Sequence, residues 1–455
     1  MKRPISRRRF LQMGANTLAS SSLFATLGGL ERALAAADTS GYRALVCVYL
    51  FGGNDSFNTL IPYSQAAYDE YAQSRGNMAV TRDHVKQIHP KSNDGKQYGV
   101  HPNCVPLQEL FDAGNLAFVA NVGSLVRPVT RDQYRAGQAD LPLQLFSHED
   151  QQVEWMTGRA DSAERKGWAG RIADLLAGQG YSPKLSLNIS VAGTNIWQSA
   201  DTVMPYVFDG NAAATLNVLS TGGYSVAEAR KQAFLDLVQQ AGGEPSIFAQ
   251  QFGATQTRAI ELGQFVNDAI ASTPAFSTQF PGDYLGQQFH NVARLIRARD
   301  QLQAQRQIFF IGFSGFDTHD NQLLSHYTLL DSLSKGLQAF YDATVEIGAQ
   351  DLVTAFTASD FGRTLTSNGD GTDHAWGAHH MVVGGAVRGQ YIYGRMPSLA
   401  LGGPDDVDFG RIIPAQSMDQ YGATLARWFG LDDSDLDLVF PNLANFDSRN
   451  LGFMG

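Results

Sequence analysis

Cysteine is scarce: Cys47 and Cys104 are the only two thiols in 455 residues. That number cannot build a disulfide scaffold, so packing must hold the fold. Cys47 lies inside an apolar run and reads as a buried thiol rather than as half of a bridge to Cys104. A protein that folds before export meets the oxidising compartment late. Basic charge is also short, with 34 Lys and Arg against 44 Asp and Glu and a net charge of −10. The first 35 residues carry six basic residues and one acid, which leaves the rest of the chain near −15. A surface that acidic argues against nucleic acid as a partner. It leaves phosphorylated substrates open, because bound cations would reverse the local field. No Pro- or Ser-rich linker and no internal repeat divides the chain.

A stable membrane span is also missing. The apolar stretch from Met13 to Leu30 is interrupted by Gly14, Gly28, Gly29 and several Ser and Thr residues, whereas a span needs about 20 mostly apolar residues. What stands there instead is ordered like an export signal. Ser6-Arg7-Arg8-Arg9-Phe10-Leu11-Gln12 reads as a twin-arginine motif, and Ala33-Leu34-Ala35 offers a small-residue cleavage site. The expectation is a signal over residues 1–35, recognised by the Tat translocase, and a periplasmic or secreted domain over residues 36–455. Tat carries folded cargo, a route compatible with loading a metal before export.

Arg43 to Phe51 (RALVCVYLF) is almost wholly apolar and ends at Gly52-Gly53. Such a run predicts a strand buried on both faces, central in a mainly parallel sheet. Leu116 to Val122, Leu185 to Val191, Ile308 to Phe313 and Leu352 to Thr357 read the same way, with Met381 to Val383 as a short further strand. Helical spacing falls between them, at Val105 to Ala113, Trp168 to Leu176 and Leu323 to Ile347. Strands alternating with helices predict a layered α/β fold. From about residue 193 to 305 the pattern changes to three long helices, Val226 to Gln240, Ile247 to Ala271 and Tyr284 to Gln303, read as a helical insertion beside the sheet.

Acidic and imidazole clusters follow the apolar runs: Asp55 in GGNDSFN, Asp317 and His319 in GFDTHD, Asp360 in ASDFGRT, and Asp373, His374, His379 and His380 in TDHAWGAHH. In an open α/β sheet, groups at strand carboxyl ends gather in one crevice. Carboxylates and imidazoles gathered there are the ligands of a hydrolytic metal centre. Each cluster also has a plainer reading. Asp55 can close an Asx-turn, and Arg363 can form a structural ion pair rather than an anion contact. His379 and His380 are adjacent and should point apart, giving one ligand and one packing residue. The nucleophile stays open between Ser147, Ser56 and a metal-activated hydroxide. Ser147 in LFSHEDQQVEWMTG stands where a helix begins, either near an oxyanion or simply as an N-cap.

The twin-arginine start, GGNDSFNTLIPY, SHEDQQVEWMTG, GFDTHDNQ, ASDFGRT and DHAWGAHHMVVGGAVRG together resemble an exported bacterial family, DUF1501, a domain of unknown function. That family is similar in layout to the alkaline phosphatase and sulfatase superfamily. The resemblance implies a three-layer α/β/α sandwich with two divalent ions, zinc with magnesium or manganese as alternatives, at the strand ends. It implies Asp55, Asp317, His319, Asp360, His374 and His379 (or His380) as ligands and Ser147 as nucleophile; Arg363, beside Asp360, is read from its place in ASDFGRT as an anion contact. The substrate would be a small-molecule or envelope phosphate or sulfate ester. Two departures stand out. The second Asp–His pair is split, with Phe361 after Asp360. Cys104-Val105-Pro106-Leu107-Gln108 ends in Gln where the sulfatase motif has Arg. A non-catalytic binding or assembly protein on the same frame is the alternative.

Overall fold

The computed structural model describes residues 41–92, 94–208, 210, 217–219 and 224–455. The expected signal over residues 1–35 lies outside them. Fourteen strands occur among the described residues. They are β1 (Arg43–Phe51), β2 (Leu60–Pro62), β3 (Lys86–Ile88), β4 (Tyr98–Val100), β5 (Leu116–Gly123), β6 (Asn188–Ser190), β7 (Tyr206–Val207), β8 (Arg306–Ser314), β9 (Val353–Ser359), β10 (Arg363–Ser367), β11 (Thr372–His374), β12 (Ala378–Val383), β13 (Ile392–Tyr393) and β14 (Gln416–Ser417).

Nine of them form one sheet in the order β13-β5-β12-β9-β1-β8-β6-β7, with β14 also on β5. β1 pairs in parallel with β8 and β9. Only β12 runs against its neighbours, β5 and β9. The fold is therefore α/β with a mainly parallel central sheet.

The sequence of β1 shows why it is central. Ala44, Val46, Val48 and Leu50 belong to one hydrophobic core, and Leu45, Cys47 and Tyr49 to another. Alternate side chains of a strand point to opposite faces, so both faces are covered. On the first face lie the helices Val105–Asp112, Tyr284–Arg297 and Gln322–Glu346, through Leu107, Phe289 and Leu337 among others. On the second lie His148–Thr157, Trp168–Gly178 and Met418–Phe429, through Trp155, Ile172 and Leu425. Both cysteines are buried free thiols.

Residues 193–305 contain the helices Ser225–Ala241, Ile247–Ala271 and Tyr284–Arg297. The third is not peripheral: Leu285, Phe289, Val292 and Ile296 are wholly buried in the first core. It ends at Arg297, six residues before the sequence pattern suggests, and Gln303 follows with a positive φ of 55°. The run 378–383 is also longer than its apolar part. His379 and His380 lie inside β12 rather than in a loop: β5 and β9 pair along its two edges, and Phe57 packs on the first ring and Trp155 on the second.

One buried acid carries a cost. Glu154, on His148–Thr157, is 1% exposed, and its weak contacts to Ser124 and the Leu143 backbone do not offset that burial. Burial pushes its pKa up to about 9. Its folded value is raised, so the folded state keeps a proton that the unfolded chain releases near the usual carboxylate range. Stability is then lost progressively as pH rises from about 4.5 towards 9. The expected result is that Glu154→Gln raises the thermal midpoint at pH 8 and leaves it nearly unchanged at pH 4. Melting curves across that range check it.

Candidate metal centre

The parallel strands deliver their carboxyl ends to one rim. β1 ends at Phe51, and Gly52 turns there with φ of 112°. A side chain on Gly52 would fall 2.3 Å from the backbone nitrogen of Asp317, so only glycine lets the β1 and β8 ends approach this closely. The Gly52 amide donates to Asp360 Oδ2 at 3.1 Å, which ties the end of β9 to the same rim. Beyond β9, the β10–β11 ribbon pairs Arg363 with His374. Gly371 lets the ribbon lie against the backbone of His319, since a Cβ there would be 2.2 Å from it. The helix His148–Thr157 begins beside them.

These elements bring three imidazoles and one carboxylate together. Ligand atoms of His148, Asp317 and His374 all lie within 4.8 Å of one another. His148 Nε2 and His374 Nε2 are each 3.3 Å from Asp317 Oδ1. His319 Nε2 flanks them, 3.0 Å from Asp317 Oδ1 and 2.8 Å from His374 Nε2. Four ligands at 2.0–2.2 Å around a tetrahedral zinc stand about 3.3 Å apart.

The opposite ring nitrogens decide the chemistry. His374 Nδ1 faces the Phe146 carbonyl at 2.8 Å, His148 Nδ1 faces Asp360 Oδ2 at 2.7 Å, and His319 Nδ1 faces Asp373 Oδ1 at 3.1 Å. A carbonyl or carboxylate only accepts, so each bond assigns the proton to Nδ1. In that neutral form the three Nε2 lone pairs face one space beside an anionic oxygen. A cation relieves their repulsion: a proton, shared between His319 and His374 Nε2 or favoured on His148 by Asp360, or a metal ion in its place. Imidazoles oriented through the far nitrogen are the usual support of metal sites.

The Asp317 charge is balanced from the buried side by one arginine. Arg363 is fully buried and donates to Asp317 Oδ1 at 2.7 Å and to the Gly52 carbonyl at 3.1 Å. Its remaining nitrogens bond Thr372. For Asp317, burial works upward, but the Arg363 bond and charge, with His148 and His319, hold its pKa below the usual carboxylate range. The Asp360 hydrogen bond raises the His148 pKa against its burial. Burial lowers that of His374, aided by the charges of His148 and Arg363.

The structure thus brings together Asp317, His319 and His374, with Asp360 one hydrogen bond behind, on His148. It does not bring in the other expected ligands. Asp55 is fully buried and held by Arg75 and Gln322. His379 is enclosed beside Phe57, its Nδ1 accepting from the Asn121 amide at 3.0 Å. His380 lies among Trp155 and Tyr421 instead. Ser147 caps its helix, its hydroxyl donating to Asp150 Oδ2 at 2.6 Å. Arg363 has its donors committed to Asp317, Gly52 and Thr372. His148 was absent from the sequence expectation. Its signal was the acid-rich helix start that Ser147 begins, where the residue after the cap projects from the helix end.

A protein-family description, Protein of unknown function (DUF1501), matches residues 42–407. No curated protein matches the chain. Among solved structures, the crystal structure of Ps i-CgsB in complex with k-i-k-neocarrahexaose overlaps at a TM-score of 0.33 and 11% identity, over 90% of this chain and 78% of that one. A second crystal structure of Ps i-CgsB gives 0.32 and 10%, over 90% and 77%. Overlap that low carries no argument about fold or activity. The family match spans β1 through β13 and covers every residue of the imidazole cluster, and the chain belongs to the DUF1501 family.

Proposed function

We propose that this protein is an exported metal-dependent hydrolase of phosphate or sulfate esters, on an alkaline phosphatase-like frame. A divalent ion would be held by His148, Asp317 and His374, with His319 beside them. The observation that carries this reading is the convergence of three Nε2 atoms on Asp317, each ring held by an acceptor at its Nδ1. Imidazole with one carboxylate suits zinc better than magnesium or manganese, which prefer oxygen. When bound, such an ion supplies Lewis acidity and makes water more acidic.

The chain's own groups do the positioning. Asp360 fixes the His148 ring, the Phe146 carbonyl fixes His374, and Arg363 fixes Asp317. Asp317 and His319 keep nearly half of their side-chain surface open, so solvent and a substrate reach the cluster from that side. Ser147 and Arg363 are engaged elsewhere, so this reading takes water as the nucleophile. Among the described residues one group of this kind converges, so it keeps one ion where the resemblance implies two. The engaged states of Ser147 and Arg363 also favour the second reading, a secreted protein that binds metal without turnover. Aryl phosphate, diester and sulfate substrates assayed with added zinc separate the two. Turnover lost in His374→Ala supports the hydrolase. A zinc-loaded protein inert on every ester supports the binding protein.

The expected zinc content is about one ion per chain. Asp317→Ala and His374→Ala should abolish it. Ser147→Ala should keep the ion and lose about 1 kcal/mol of stability as a missing cap. Metal analysis after dialysis, together with denaturant melts, checks both parts.

Asp360→Asn removes no direct ligand but weakens the hold on His148. Zinc affinity should fall by roughly 10- to 100-fold, measured by competition with a chromogenic chelator.

A further inference from the structure

A second concave site shares no lining residue with the imidazole cluster. It is a cleft of about 680 Å³ with one wall from residues 125–132, another from residues 395–405 and a floor including Ile413, Pro414 and Phe446. Its size is that of a small-molecule site. Leu125, Ile413 and Phe446 form an apolar cluster with Trp376 beneath it.

Four charged residues line the cleft: Arg131, Asp132, Arg395 and Asp405. Arg395 and Asp405 satisfy each other through two parallel bonds of 2.9 and 2.6 Å, and Asp405 also accepts from the Ser398 amide at 2.9 Å. That pair is neutral and fixed. Asp132 is exposed and solvated. Arg131 differs. It is partly exposed, and its guanidinium forms no ion pair among the described residues. An unpaired cation at the edge of an apolar cleft is the group an organic anion would meet there.

We propose that this cleft binds an organic anion, with a carboxylate, sulfate or phosphate group on Arg131 and an apolar or ring-shaped body over Ile413, Pro414 and Phe446. Neither Arg131 nor this floor belongs to the proposed metal centre, so the site stands whether or not the hydrolase reading does.

Naphthalene-2-sulfonate is a suitable probe: it carries the anion and the ring but no ester to cleave. Its uncharged partner is naphthalene-2-sulfonamide. Calorimetric titration of the full chain should show saturable sulfonate binding, weakened at least tenfold by Arg131→Gln and largely kept by Arg131→Lys. Sulfonamide binding should not change. Inorganic sulfate and phosphate as competitors show which anionic group the arginine accepts. Unchanged sulfonate affinity in Arg131→Gln overturns the proposal. So does absence of saturable binding, or loss of binding in His374→Ala instead, which would place the anion at the imidazole cluster.

Discussion

Everything at the rim depends on where three protons sit. Phe146, Asp360 and Asp373 each accept at an Nδ1, and this turns His374, His148 and His319 so that their Nε2 atoms converge. Exchange any one acceptor for a donor and that ring would present a proton to its neighbours instead of a lone pair. Phe146 bears strain for this purpose. Its φ of 72° is a left-handed conformation that a bulky residue seldom adopts, and it aims the carbonyl at His374. The Phe146 amide is in turn held by Gln151 at 2.7 Å, from the helix that begins with His148. One short segment therefore supplies a ring to the cluster and an acceptor behind another ring.

The sheet makes this possible by bringing covalently distant segments to one edge. β1, β8 and β9 are adjacent and parallel, so Gly52, Asp317 and Asp360 emerge side by side. The register is tightened by backbone contacts that no side chain could enter, at Gly52 against Asp317 and at Gly371 against His319. Close packing of this kind fixes atoms to a few tenths of an ångström, which is what a preorganised ligand set requires.

The strands are legible in the sequence because a segment buried on both faces is apolar at every position. β1 matches its run, Arg43 to Phe51, residue for residue. β12 is harder, since His379 and His380 break its apolar run. Burial lowers both their pKa values to about 3, so they stay neutral and pack as aromatic rings against Phe57 and Trp155. Sequence gives a buried neutral histidine and a ligand the same letter. Asp317, His319 and His374 are legible because they follow strands or ribbons with polar company. Asp55 follows a strand in the same way, yet its partner Arg75 lies on the helix Gln65–Arg75, twenty residues on, where no pattern reveals the pairing.

Asp55 is nevertheless connected to the cluster. Gln322 donates to it and accepts from the Thr372 hydroxyl at 2.5 Å; Arg363 donates to that hydroxyl at 3.3 Å and to Asp317 at 2.7 Å. Fully buried charges are tolerated only when paired and hydrogen-bonded. Here the fully buried pair Asp55–Arg75 is linked by two neutral side chains to buried Arg363, whose partner Asp317 stays half open to solvent. The arrangement places a fixed positive charge directly behind Asp317, which would weaken its hold on a cation. It also prevents the carboxylate from turning away. A site tuned for orientation rather than for the greatest affinity would be built this way, with the three imidazoles supplying the binding strength and Asp317 the fixed reference point.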